Sequence, residues 1–369
     1  MAAFLTSSTL TAILLFVVIV FGVILIGLMR RLRSIHQLYN SLRKQTSLSV
    51  TEDDSSPEAQ QQLVAELHNQ LQEAKRVSQT FRKFVPTQFF DHFAKDGIES
   101  VELGKADEVD VAILFCDIRG FTGLSERMSP QELMNFLNSY FLRMNQPIHQ
   151  NGGFIDKFIG DAIMAIFDHP DGSKADIARD ALKAASDMRK ALNLYNQHRS
   201  NCDYPPVNSG IGIHFGPVIM GTVGSDDRMD STVIGDSVNT AYRLESLAPK
   251  FNADIICSAQ TLDISGLRDS YPHRLLDWVR VKGKQQPIEV YEILEHLSED
   301  EQQRKLATAP YIKQGIKLRI DKNWDDAINC FQQALTLAPE DKLVHHHLEQ
   351  CFQMRSNRLP GDWDGALDI

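Results

Sequence analysis

Asp117 closes an apolar run, Val111 to Cys116, and leads into the turn Arg119-Gly120-Phe121-Thr122 ahead of a short helix. A carboxylate at a strand end, beside amides that open a helix, holds a cation with its oxygens while the amides hold an anion. Asp161 is a second such carboxylate. It lies in the tight Ile159-Gly160-Asp161 connection of GGFIDKFIGDAIMAIF, two apolar strands whose spacing predicts a hairpin. If the strand ending at Asp117 pairs beside that hairpin, the two carboxylates face one another and hold two divalent cations against a triphosphate. In TVIGDSVNTAYRLES, residues 232–246, Gly235 and Asp236 open a helix with Asn239 and Arg243 four apart on one face. Such a pair grips a sugar and a phosphate together. Lys282 and Lys284 flank a glycine in VKGKQQPIEVYEI, the makings of a phosphate clamp.

These groups fall within residues 109–296, which alternate strands and helices. Strands are expected near 109–116, 153–158, 161–167, 208–220, 229–234, 254–257, 275–282 and 287–294, with helices near 130–149, 174–198 and 236–247. A β-α-α-β-β opening predicts an α+β, ferredoxin-like sheet instead of a doubly wound parallel one. His214 reads as a core histidine with no catalytic role.

The flanks differ in character. Residues 4–29 carry no charge and exceed the ~20 apolar residues of a bilayer-spanning helix, so residues 1–33 read as a transmembrane anchor. Arg30, Arg31 and Arg33 then place the rest in the cytoplasm, giving a single-pass protein of the cell membrane. Residues 34–108 form a linker in which Leu63, Leu67, Leu71, Ala74, Val77 and Phe81 mark an amphipathic helix. It suits either packing on its own domain or a parallel coiled coil, and KFVPTQFF completes a transducing segment. At the far end, Gly315, Ala327, Phe331, Ala334 and Pro339 have the spacing of one tetratricopeptide repeat, so residues 305–355 read as a small all-α unit able to bind a protein regulator. Residues 356–369 are expected to be a flexible tail.

The chain has 369 residues, a formal charge of −10 and five scattered cysteines. The acidic balance argues against a nucleic-acid partner, because such proteins need a basic surface to displace counterions. The cysteines form no CxxC pair and read as reduced thiols, not as a disulfide framework or zinc site.

Taken together, FCDIRGFT, DKFIGDAIMAIF, GIGIHFG, IGDSVNTAYRLE and VKGK resemble the class III nucleotidyl cyclases, in family order and spacing over about 190 residues. The resemblance implies an adenylate cyclase that converts ATP to 3′,5′-cyclic AMP and pyrophosphate with two Mg²⁺ or Mn²⁺ ions per site. Asp117 and Asp161 match its metal-binding aspartates, with the Ile118 carbonyl as a further ligand and Asp117 as a candidate proton acceptor. Gly120, Phe121 and Thr122 match its phosphate loop. Lys157 stands where the family reads the purine, where guanylate cyclases carry glutamate, and Thr232 matches the second purine-reading position. Asn239 matches the ribose-orienting asparagine, Arg243 the transition-state arginine, and Lys282 the terminal-phosphate lysine, with Lys284 as its rival. Since the chain holds both half-sets of residues, a head-to-tail homodimer with two sites is implied. One position departs: Gly210 stands where mammalian cyclase domains carry a phosphate-contacting arginine, and Arg119 or the loop amides are its expected substitutes. The competing readings are a guanylate cyclase and a catalytically silent, membrane-tethered tetratricopeptide scaffold.

Overall fold

The computed structural model describes residues 65, 68–77, 79, 104, 106–169, 171–225, 228–264, 266–281, 286–357, 359 and 363–368. The chain divides into two units, residues 1–81 and 82–369. In the first, residues 68–77 are helical, as the leucine spacing predicts. The elements labelled below all belong to the second.

Strand β1 (Ala106–Ile118) is apolar on both faces from Val111 to Cys116, where both faces are covered. Ala112, Leu114, Cys116 and Ile118 point into a large core, while Val111, Ile113 and Phe115 point into a smaller one on the other side. The large core is roofed by helices α2 (Pro130–Gln150) and α3 (Lys174–Ser200). Each helix starts at a capping box, Ser129 with Glu132 and Ser173 with Asp176, which satisfies amide groups that the first turn leaves open. Strands β2 (Gly153–Ile159) and β3 (Ala162–Phe167) form the expected hairpin. The sheet runs β2-β3-β1-β4, with β4 covering Ser209–Ser225 and every pair antiparallel, the split βαβ order that the strand pattern predicted. It continues through β6 (Ile255–Ser258), β8 (Ile288–Ile293) and β7 (His273–Arg280), while β5 (Arg228–Ile234) pairs with β4 alone as a projecting arm.

Three further helices follow: α5 (Glu299–Ile320), α6 (Trp324–Leu337) and α7 (Lys342–Ser356). A methyl at Gly315 would lie 2.6 Å from the Phe331 ring, so glycine is what lets α5 and α6 close on each other. Their inner surface meets the sheet through buried charge. Arg319 of α5 donates two hydrogen bonds to Asp277 of β7, at 3.2 and 2.5 Å, with both side chains fully buried. His347 of α7 donates from Nε2 to the Leu276 carbonyl at 2.8 Å and stacks on Phe331. Burial lowers its pKa to about 4 despite nearby Asp277, so the ring is neutral. Nearby, Glu292 of β8 receives Arg274 at 2.7 Å and Lys305 at 2.5 Å, and Arg274 also pairs with Asp341 at the head of α7.

Two expectations require correction. The tail is ordered over residues 363–368: Leu367–Asp368 form β9, parallel to β7, with Leu367 buried and Arg280 paired to both Asp364 and Asp368. Burial of Leu367 together with two carboxylates on one guanidinium holds this segment against β7. The single-pass cell-membrane localisation is also overturned, since no helix among the described residues is long and apolar enough to cross a membrane. Helices α2, α3 and α5 have the length but carry charged faces. The apolar run 4–29 itself lies outside the described residues, as do the connecting segment 80–103 and residues 282–285, which hold Lys282 and Lys284.

Candidate active site

Strand register brings the first two carboxylates together. Cys116 of β1 sits opposite Ile163 of β3, so the next residue on β1 falls beside the β2–β3 turn. Burial, a hydrogen bond with Asp117 and the Asp117 charge all raise the Asp161 carboxyl above the usual carboxylate range. The Ile118 amide donates to Asp117 Oδ1 at 3.0 Å, whereas Asp161 Oδ2 is buried with no hydrogen-bond partner. An orphaned, repelled carboxylate oxygen is what a divalent cation would satisfy. Among the described residues no group of three or more His, Cys, Asp or Glu side chains is placed to hold a metal, so this pair needs additional oxygen donors.

Gly120, at φ 70° in the left-handed region, turns the chain out of β1 into the short helix α1 (Phe121–Ser125). Phe121 packs against the large core and Thr122 is exposed. Arg119 is committed elsewhere. It donates to the Ala253 carbonyl and pairs with Asp254 at 3.5 Å, which pins the turn from below and removes it as a stand-in for the missing arginine. Gly210 has no room for one: a methyl there would lie 2.7 Å from Ala248 Cβ and 2.8 Å from Glu245 Oε1.

Asp254 is the hub of that anchor, receiving Arg189 at 2.9 Å and His296 at 3.3 Å in addition to Arg119. Burial alone would raise its pKa, but the His296 hydrogen bond and the charges of Arg189, His296 and Arg119 prevail and hold it at about 2. A carboxyl held below its unfolded value of 3.8 stabilises the fold fully above that pH and loses its contribution as pH falls toward 2. Wild-type protein should therefore lose about 2 kcal/mol from this group between pH 4 and pH 2, and Asp254→Asn should lack that share. Urea unfolding of both proteins across that range checks it, and equal acid losses would refute it.

Lys157 and Thr232 lie on two other elements. Lys157 Nζ of β2 donates to Thr232 Oγ1 of β5 at 2.9 Å, and reaches Asp156 at 3.5 Å and Asp230 at 3.9 Å. The hairpin register shifts between Ile155 and Lys157, so Asp156 occupies a β-bulge and shares a side with its neighbour. Its carboxyl is pushed up to about 6 by burial, against the opposing charge of Lys157. Strict alternation would have put Asp156 on the opposite face, which is why the sequence did not single it out.

Asn239 and Arg243 lie on α4 (Asp236–Ser246), the first exposed and the second half-buried. A methyl at Gly212 would sit 2.2 Å from the Glu245 amide nitrogen, so this glycine allows α4 to lie flat on β4. Tyr242 meets Phe115 of β1 edge-on at 5.4 Å. Glu245, also unforeseen, has its carboxyl pushed up to about 7 by burial and by the charges of Asp117 and Asp161. His214 is buried and bonded to Ser258 at 2.8 Å, as expected of a core residue, and all five cysteines are free.

The family model described as the adenylate and guanylate cyclase catalytic domain matches residues 104–295, and the chain belongs to that family. An adenylate cyclase of Anabaena cylindrica is 43% identical over 237 residues, covering 63% of this chain and 46% of that protein. A terminal-differentiation-specific adenylate cyclase of Dictyostelium discoideum is 35% identical over 306 residues, covering 83% of this chain and 14% of that one. The chain thus spans less than half the length of these curated relatives. A solved bacterial light-regulated adenylyl cyclase is 26% identical with a TM-score of 0.55, over 66% of this chain and 69% of that chain.

Proposed function

We propose that this chain converts ATP to 3′,5′-cyclic AMP and pyrophosphate at sites shared between two copies. The observation that carries the reading is the Lys157–Thr232 pair, whose 2.9 Å contact joins a cationic donor to a hydroxyl at a half-buried position. A lysine donor suits the N1 acceptor of adenine and opposes the N1–H donor of guanine. Adenylate cyclases among the relatives support the same substrate.

Asp117, Asp161 and the Ile118 carbonyl would hold two Mg²⁺ or Mn²⁺ ions, which supply Lewis acidity to the reacting phosphate and the departing pyrophosphate. Asp117 accepts the ribose 3′-hydroxyl proton as that oxygen attacks the α-phosphorus in line. Asn239 orients the ribose, and Arg243 offsets charge that develops on the α-phosphate. The turn from Gly120 to Thr122 and Lys282 hold the phosphates.

Within one copy, Lys157 pairs with Thr232, Asp156 and Asp230, and Asp161 interacts with Asp117. Exposed Phe158 and Ile159 at the hairpin tip, and Ile219, Val223, Met229 and Ile234 on the β4–β5 arm, are an apolar surface for a second copy. A head-to-tail homodimer completes both sites. The C-terminal helices, read as one tetratricopeptide repeat, keep an outer surface for a protein regulator. Purified protein given ATP or GTP with Mg²⁺ or Mn²⁺ should form cyclic AMP and favour ATP; preferential cyclic GMP formation, or no turnover of either nucleotide, would overturn the assignment.

A further inference from the structure

We infer that Asp156 sets base selectivity by fixing the hydrogen-bond polarity of Thr232, a positioning role that rests on the adenine-reading assignment above. A threonine hydroxyl has one proton and two lone pairs, so by itself it serves adenine and guanine equally. Adenine presents an amino donor at C6, and guanine an acceptor oxygen. Discrimination requires that the hydroxyl proton be directed away from the base.

The bulge arranges this. Thr232 Oγ1 accepts from Lys157 Nζ at 2.9 Å and donates toward Asp156 Oδ2 at 3.5 Å. One lone pair and the proton are then in use, leaving a lone pair for the base. The Asp156 side chain is fully buried, and its Oδ1 has no hydrogen-bond partner, so it does not reach the nucleotide itself. A carboxylate only accepts, and it therefore keeps Thr232 a donor toward the protein and an acceptor toward the substrate. The C6 amino group of adenine is welcomed, while the oxygen of guanine meets a second lone pair.

The test measures kcat/KM for ATP and GTP on the full chain as wild type, Asp156→Asn, Thr232→Ser, Thr232→Val and the Asp156→Asn/Thr232→Val pair. In Asp156→Asn the new amide can donate to Oγ1 and release the threonine proton toward the base, so the ATP/GTP ratio should fall about tenfold, in part through a gain with GTP. Thr232→Val should lower the ratio comparably, Thr232→Ser should preserve it, and the double variant should fall no further than Thr232→Val. An unchanged ratio in Asp156→Asn, or equal losses with both nucleotides, would overturn the proposal. Should Asp156→Asn fail to fold, Asp156→Ala takes its place: it removes the acceptor and frees the threonine proton, so the ratio should again fall, and an unchanged ratio refutes the proposal. A wild type that prefers GTP would instead overturn the adenine reading, a result visible before any variant is made.

Discussion

Asp161→Ala and Arg243→Ala should each lose turnover by about a thousandfold or more, and mixing the two should restore part of it. If each site takes Asp161 from one copy and Arg243 from the other, the mixed dimer holds one site with both defects and one with neither. Random pairing then returns about a quarter of the wild-type sites. Product formation after mixing, with dimer content verified by sedimentation, is the measurement. Two dimeric, folded variants that stay inactive when mixed would place both residues in the same copy and refute the shared site. The loss in Asp161→Ala should not be a folding defect. Its carboxyl is raised by burial and by Asp117, so ionising it costs stability in metal-free protein, and alanine removes that cost. The melting temperature without metal should be unchanged or higher.

The largest effect on stability is expected at the other end of the molecule. Arg319→Met preserves length and apolar stem but leaves Asp277 buried, charged and without its guanidinium. Breaking one side of a buried pair costs about 3–5 kcal/mol, far more than the net value of the pair. Urea unfolding should show that loss, and Asp277→Asn combined with Arg319→Met should cost less than the two single changes added together. A loss under about 1 kcal/mol would mean that apolar packing, not this ion pair, fastens the C-terminal helices to the sheet.

Much of the catalytic unit was legible because its signals are local. The apolar run ending in Asp117, the glycine before Asp161 and the four-residue step from Asn239 to Arg243 each encode a strand end, a turn or a helix face. The burial of His214 was readable for the same reason. What escaped depends on contacts distant in the chain. The bulge at Asp156 is a fault in register between two strands, and a one-residue slip reverses which side chains share a face. Asp277 and Arg319 are 42 positions apart and look like ordinary surface charges until α5 lies across β7. Glu245 lies two residues past Arg243, yet only the packing of α4 on β4, permitted by Gly212, brings it into the field of Asp117 and Asp161. The tail escaped for the same reason, since Leu367 and Asp368 pair with β7 residues 88 positions earlier in the chain.

The two-residue strand β9 has a consequence for solubility. Without it, β7 would end the sheet with unpaired amides and carbonyls over Val279 and Arg280, an open template for another chain's strand. Leu367 caps that template and Arg280 gathers acidic side chains around it, so the same few residues that close the fold also guard it against edge-to-edge aggregation.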